Sequence, residues 1–163
     1  MVGAMMFLSS CVSRRELSVG LPANLPPSTS ISVRIPQNGV YGDTIYSNSG
    51  SQVAHQLVAA LLPYFPETRL VYETQARGLL LSPQILHWED RATEWSGKRD
   101  RVEISLPLYA NDGRLLGSAL ISANSSYWTM GGDHPEDLLQ RPFKVYAASL
   151  AGIPYRDRLV IQK

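Results

Sequence analysis

The chain has 163 residues, 44% of them hydrophobic and 18% charged, and its 15 basic and 14 acidic side chains give a formal charge of +1. This composition suits one soluble domain with a real core, and the three Trp and eight Tyr exclude a disordered chain. Near-neutrality removes the long-range field that would draw it to nucleic acid, and one cysteine excludes a disulfide framework or a multi-Cys zinc site.

The uncharged run Val2–Leu8 has the length of a minimal secretory core and is far too short to span a bilayer. It ends in Leu8-Ser9-Ser10-Cys11, which resembles the bacterial lipobox, an aliphatic residue and two small residues before the cysteine that receives diacylglycerol. The expected organisation is a signal peptide over 1–10, a lipid-anchored linker over 11–30 and a single periplasmic domain over 31–163. Resemblance to enterobacterial sorting, with Val12 where an inner-membrane signal would carry Asp, implies the outer membrane. Val12 to Ser30 lacks periodicity and contains Pro26-Pro27, as a tether would; the alternative is an added edge segment packed through Leu17, Val19 and Leu21.

Ile31–Ile35 alternates as a half-buried strand and stops at Pro36. Gly39, Gly42 and Asn48 mark a loop. Ser49-Gly50-Ser51-Gln52 has capping-box spacing, and Val53, Ala54, Leu57, Val58, Leu61 and Leu62 line one face of a helix over Gly50–Leu62. Thr68–Glu73 reads as a second strand. Leu79–Trp88 reads as a third, central by its aliphatic content, with Pro83 implying an edge or a bulge. Arg101 to Leu108 alternates strictly, Asn111-Asp112-Gly113 offers the positive-φ residues of a tight turn, and Leu115–Ala123 returns as the partner. Pro142 suits the first position of a final helix carrying Phe143, Tyr146, Ala147 and Leu150 on one face, with Gly152 past its end. The expected fold is α+β, an α/β sandwich with a four- to five-stranded mixed, mainly antiparallel sheet and two helices on one face.

Two polar, aromatic segments stand apart from this pattern: His87-Trp-Glu-Asp-Arg-Ala-Thr-Glu-Trp-Ser-Gly97 and Trp128-Thr-Met-Gly-Gly-Asp-His-Pro-Glu-Asp-Leu138. With the lipobox, they resemble a family of Gram-negative lipoproteins classified only as a domain of unknown function. In that family a His-Trp-Glu-Asp-Arg segment precedes a hairpin and a Gly-Gly-Asp-His-Pro segment precedes the last helix. The resemblance covers Ser30 to Leu150. It implies a second helix between Glu73 and Gly78, where only a handful of residues stand, so part of one sheet face would be uncovered.

The candidate binding residues are His87, Trp88, Glu89, Asp90, Trp95, Trp128, Asp133 and His134. Their aromatics, with Tyr127, offer flat apolar area inside a polar rim. Their imidazoles and carboxylates are of the types that bind zinc or transfer protons, but no metalloprotease or nucleophile-elbow spacing occurs. A carboxylate near a helix start, as Asp133 or Asp137 is, also serves commonly as a cap. Gly131-Gly132 is too short for a phosphate cradle, His55 lies opposite the apolar stripe of its helix, and Lys98, Arg99 and Arg101 interleave with Asp100 and Glu103 as a mixed rim.

The leading expectation is a non-enzymatic envelope lipoprotein, without a cofactor, that binds an envelope protein or glycan at the outer membrane; a homo-oligomer is compatible with the sequence, which leaves the oligomeric state open. The competing expectation is a periplasmic metal-dependent or acid-base hydrolase built on His87, Glu89, Asp90, Asp133 and His134. That reading requires the two segments to converge around a pocket.

Overall fold

The computed structural model describes residues 13–72, 77–90, 99–125 and 134–154, with side chains from Gly20 onward. Cys11, Trp95, Lys98, Tyr127, Trp128, Gly131-Gly132 and Asp133 lie outside the described residues, as does most of the Glu73–Gly78 gap.

The strands are β1 (Ser13–Val19), β2 (Ile31–Arg34), β3 (Val40–Tyr41), β4 (Thr44–Ile45), β5 (Arg69–Val71), β6 (Leu79–Leu81), β7 (Gln84–Glu89), β8 (Arg101–Tyr109) and β9 (Leu115–Asn124); the helices are α1 (Ser49–Leu61) and α2 (Pro135–Leu150). The main sheet runs β1-β9-β8-β6-β2-β5, with β7 also paired to β8, and β3-β4 is a separate small hairpin. β2 is parallel to β5 and β6, and the remaining pairs of the main sheet are antiparallel. The fold is therefore α+β, with a mixed sheet and two helices among the described residues, as the sequence pattern implies.

Strict alternation in β8 puts Val102, Ile104, Leu106 and Leu108 fully inside, while β9 adds Ala119, Ile121 and Ala123 and β2 adds Ile31 and Val33. Against this face α1 packs Val53, Leu57 and Leu61, and α2 packs Leu139, Phe143, Tyr146 and Leu150. The helices touch each other, α1 over β2 and β5 and α2 over β8 and β9. Each fully buried Leu, Ile or Phe contributes roughly 1.5–3 kcal/mol by leaving water.

Four local expectations are corrected. Of the two readings of the segment after Cys11, the added edge segment is the one observed for its first half. Ser13–Val19 pairs antiparallel with β9 from Ser13↔Asn124 to Val19↔Ser118. Its second half is held as well, since Leu25 N–H donates to the Leu150 carbonyl at 2.9 Å and Leu21 and Leu25 pack against the core.

The third strand is split at Ser82-Pro83. Ser82 N–H donates to Pro107 O, so the neighbouring Pro83 turns its missing N–H away from β8, at the point where β2 no longer flanks the strand. β6 is thus central, whereas β7 lies along β8 alone.

The capping box does not form. Ser49 Oγ instead accepts from Gly39 N–H and donates to Tyr46 O, both at 2.8 Å, while Gly50 N–H at the start of α1 finds Asn38 Oδ1 at 3.1 Å. A loop residue satisfies the helix end that a helix residue was expected to cap.

α2 starts at Pro135, not Pro142. His134 has extended backbone at the N-cap, Pro135 takes the first helical position, and Glu136 and Asp137 fill the first turn, where a carboxylate favours the helix dipole. Pro142 lies inside the helix and is buried. The far end closes as expected at Gly152 (φ +69°), with Gly152 N–H to Ser149 O and Ile153 N–H to Ala148 O in a Schellman pattern. In the β8–β9 turn only Gly113 (φ +81°) takes positive φ.

Candidate functional site

The strand period decides where the residues of the first polar segment go. Ile85 stands opposite Ile104 on the core face, and an irregularity at Leu86 shifts the register before His87↔Glu103, Trp88↔Val102 and Glu89↔Arg101. Trp88 therefore points into the core and is only 2% exposed. It is a packing residue, and Gly39 of the loop before β3 lies against it so closely that a Cβ there would sit 2.5 Å from Trp88 Cβ.

His87 and Glu89 emerge on the opposite face of the sheet, the one not covered by α1 and α2. Their side chains meet at 3.3 Å (Nε2 to Oε2). Tyr41 of the small hairpin stands edge-on to the His87 ring, centroids 5.2 Å apart. The Glu89 carboxylate beside it holds the Tyr41 phenol above its ordinary value, so this hydroxyl stays protonated. One strand further in, Arg101 Nη2 donates to Glu103 Oε1 at 2.6 Å, and Ser122 Oγ donates to the same oxygen at 3.3 Å. That guanidinium pulls the Glu103 carboxyl below its ordinary value, with Ser122 and His87 adding to the effect. The result is a half-buried polar network across β7, β8 and β9.

Asp90 and His134 form a second, separate pair. Asp90 follows β7 and His134 precedes α2, and their side chains meet at 3.3 Å (Oδ1 to Nδ1). Tyr46 Oη accepts from Asp90 N–H at 3.4 Å, tying the loop before α1 to the same place. The bond to Asp90 raises the His134 imidazole above its ordinary 6.5, with Glu136 and Asp137 adding in the same direction. Next to this clasp, buried Asp100 exchanges bonds with Ser125, N–H to Oγ and O to N–H, both at 2.9 Å. This end of the sheet is thus bracketed twice, by Asp90 with His134 and by Asp100 with Ser125.

The two segments do converge, through Asp90 and His134. The five residues of the hydrolase reading are nevertheless divided. His87 and Glu89 face outward, Asp90 and His134 close the sheet end, and Asp133 is outside the described residues. Among the described residues no group of three His, Cys, Asp or Glu side chains could hold a metal ion. Sequence reasoning overlooked Tyr41, Glu103 and Ser122. The alternation of β8 and its hairpin register already place Glu103 and Ser122 on the wet face beside Arg101. Tyr41 gives no such signal, because it comes from a two-residue strand.

Residues 23–150 match the family model described as Domain of unknown function (DUF4823). No curated protein matches the chain. Among solved structures the fold is similar to that of the PelC dodecamer from Paraburkholderia phytofirmans in two crystal forms, one of a point variant. Identity is 16% and the TM-score 0.63 in both, with 88% and 89% of this chain and 100% of that chain covered. It is also similar to protein XCC0632 from Xanthomonas campestris, a DUF330 protein, at 15% identity and TM-score 0.56 over 81% of this chain and 91% of that one.

Proposed function

Because the chain belongs to the DUF4823 family of domains of unknown function and shares its fold with a dodecameric protein, we propose that it is a non-enzymatic, lipid-anchored assembly module of the cell envelope. In this reading Cys11 carries the lipid, the domain faces the periplasm at the outer membrane, and copies of the chain associate with one another. The observation that carries it is β1. Pairing with β9 begins at Ser13, two positions after Cys11, so a lipid on that cysteine would hold the sheet edge at the bilayer surface with no tether between them. A domain fixed in that way presents a constant face to the membrane and to its neighbours. The fold match supports self-association, since its relative is a dodecamer and is covered from end to end.

The test is Cys11→Ser in the full chain. The variant is expected to fold and to leave the membrane fraction, while the unmodified chain takes up a clickable fatty acid. Multiple acyl chains, at about 0.8 kcal/mol per buried CH₂, outweigh anything a near-neutral surface supplies. A variant that still sediments with membranes, or an unlabelled wild type, overturns the anchor. A strictly monomeric lipidated protein by sedimentation velocity overturns the assembly role.

A further inference from the structure

The small hairpin β3–β4 is built inside out. Val40 stands opposite Ile45 across its two short strands, and Tyr41 opposite Thr44. The aromatic side chains turn toward the domain: Tyr41 stands edge-on to His87, and the Tyr46 hydroxyl, just after β4, accepts from Asp90 N–H. The aliphatic ones are left in water. Ile45 is 65% exposed and Val40 54%, and Leu86 of β7, which borders the same groove as Val40, is 55% exposed. With Tyr41 they make up four of the nine large hydrophobics exposed among the described residues. The backbone of the hairpin is held by Tyr46 N–H to Gly39 O and by Gly39 N–H to Ser49 Oγ, bonds that ask nothing apolar of Val40 or Ile45. A cluster of exposed aliphatic side chains that the fold does not need marks contact with another apolar surface.

The register of the main sheet locates that cluster relative to the amino terminus. Ser13 stands opposite Asn124, Asn124 opposite Arg101 and Arg101 opposite Glu89, so one row of residues crosses β1, β9, β8 and β7. Three steps of about 4.8 Å set Ser13 about 14 Å from Glu89, and Cys11 lies at most about 7 Å beyond Ser13. Tyr41 and Tyr46 fasten the hairpin to the His87–Asp90 end of β7, at the other end of this row. A lipid on Cys11 therefore keeps the bilayer within about 20 Å of the strand end that carries the hairpin, whichever way the domain tilts.

We infer that Val40, Ile45 and Leu86 rest on the lipid bilayer as a second, shallow contact beside the acyl chains. The inference rests on the reading of Cys11 as a lipid anchor. Aliphatic side chains gain by leaving water at the boundary of headgroups and acyl chains, and Tyr41, apolar in its ring and polar at its hydroxyl, suits the same depth. Asp43 in the turn keeps the contact shallow, because a carboxylate is costly in the hydrocarbon. The near-neutral chain has no strong attraction to anionic lipid, so neutral phosphatidylcholine is sufficient. Two points of attachment fix an orientation that a single acylated residue leaves free.

A nitroxide at Ile45→Cys, in the acylated full chain bound to phosphatidylcholine vesicles, tests the contact; with Cys11 acylated, that thiol is the only free one. Its collisions with a water-soluble nickel chelate are expected to fall several-fold, and those with oxygen to rise, relative to the soluble Cys11→Ser chain carrying the same label. A label at Leu62→Cys, at the far end of α1 and about 20 Å from its start, is expected to stay open to the chelate. Both positions are exposed, and an unchanged circular dichroism spectrum shows that the labelled chains are folded. A chain that carries the acyl mass and floats with the vesicles, while its label at position 45 stays open to the chelate, overturns the contact and leaves the anchor standing. A chain without the acyl mass overturns the anchor, and the contact with it. Protection at position 45 in the soluble chain that grows with protein concentration also overturns the proposal, by making the patch an interface between copies.

Discussion

His134 and Asp90 stand 44 positions apart, yet their side chains meet beyond the end of β7 and ahead of α2. The imidazole is raised above 6.5 chiefly by the bond to Asp90. A base whose folded value is raised contributes stability that is complete below its unfolded value and is lost as pH rises through the folded one. The clasp is therefore firm below 6.5 and loosens as pH rises through the raised value, by an amount that solvent screening keeps small because His134 is 56% exposed. Side-chain NMR of His134 should show a midpoint above 6.5, and Asp90→Asn should bring it down; an unmoved midpoint would mean that the pair is not formed in solution. Glu103 runs the other way. Its carboxyl is lowered by Arg101, so its contribution is present above 4.5 and lost as pH falls through the depressed value, and Arg101→Gln should move that midpoint upward. Gly39 is the third residue with a sharp consequence. A methyl there meets Trp88 Cβ and Cγ at 2.5 and 2.9 Å and Ile85 Cγ2 at 3.1 Å, so Gly39→Ala should lower stability by about 1–3 kcal/mol in chemical denaturation.

Among the elements, α1 depends on a side chain that hydrogen-bonds away from it. Ser49→Ala removes two 2.8 Å bonds and leaves the buried Gly39 N–H without its acceptor, which should cost about 1–3 kcal/mol, more than a typical exposed cap. A loss of a few tenths would show that water replaces the hydroxyl. The same helix illustrates how far the sequence is legible. Its apolar stripe is set by the 3.6 period and predicts the extent to within a residue, while its capping depends on Asn38, which no local motif indicates. In α2 two prolines each satisfy the rule for a first helical position, and local pattern does not choose between Pro135 and Pro142. The choice is made by packing, because Leu138 and Leu139 can reach the core only if the helix already runs before Pro142. β1 is legible only as an alternative, since Ser-Arg-Arg-Glu-Leu-Ser-Val carries two apolar residues and its partner lies over a hundred positions away. In the first polar segment the residue types are visible as a cluster, but strand alternation sends Trp88 inward and His87 and Glu89 outward, which composition cannot reveal.

For the whole molecule, β1 covers Ser118–Asn124 of an edge that would otherwise expose the N–H and C=O groups of β9. Removing residues 1–19 should leave the core of β2, β6, β8, α1 and α2 in place yet produce a species that self-associates through that edge, read as concentration-dependent light scattering. A truncated chain that scatters no more than the parent and is as stable would show that β1 is dispensable.

The β1–β9 pairing also governs the order in which the chain can be completed. Ser13 has no partner until Asn124 exists, and β2 has no parallel neighbour until Arg69 and Leu79 exist. A chain emerging amino-end first, from a ribosome or through a translocon, thus carries its first strand unpaired for most of its passage, and no prefix of it is a finished domain. High contact order of this kind makes folding slow, in the range of milliseconds to seconds for comparable topologies. It also means that the element nearest Cys11 is sealed into the sheet only after the β8–β9 hairpin has closed, so the amino terminus stays accessible to enzymes until the domain behind it is whole.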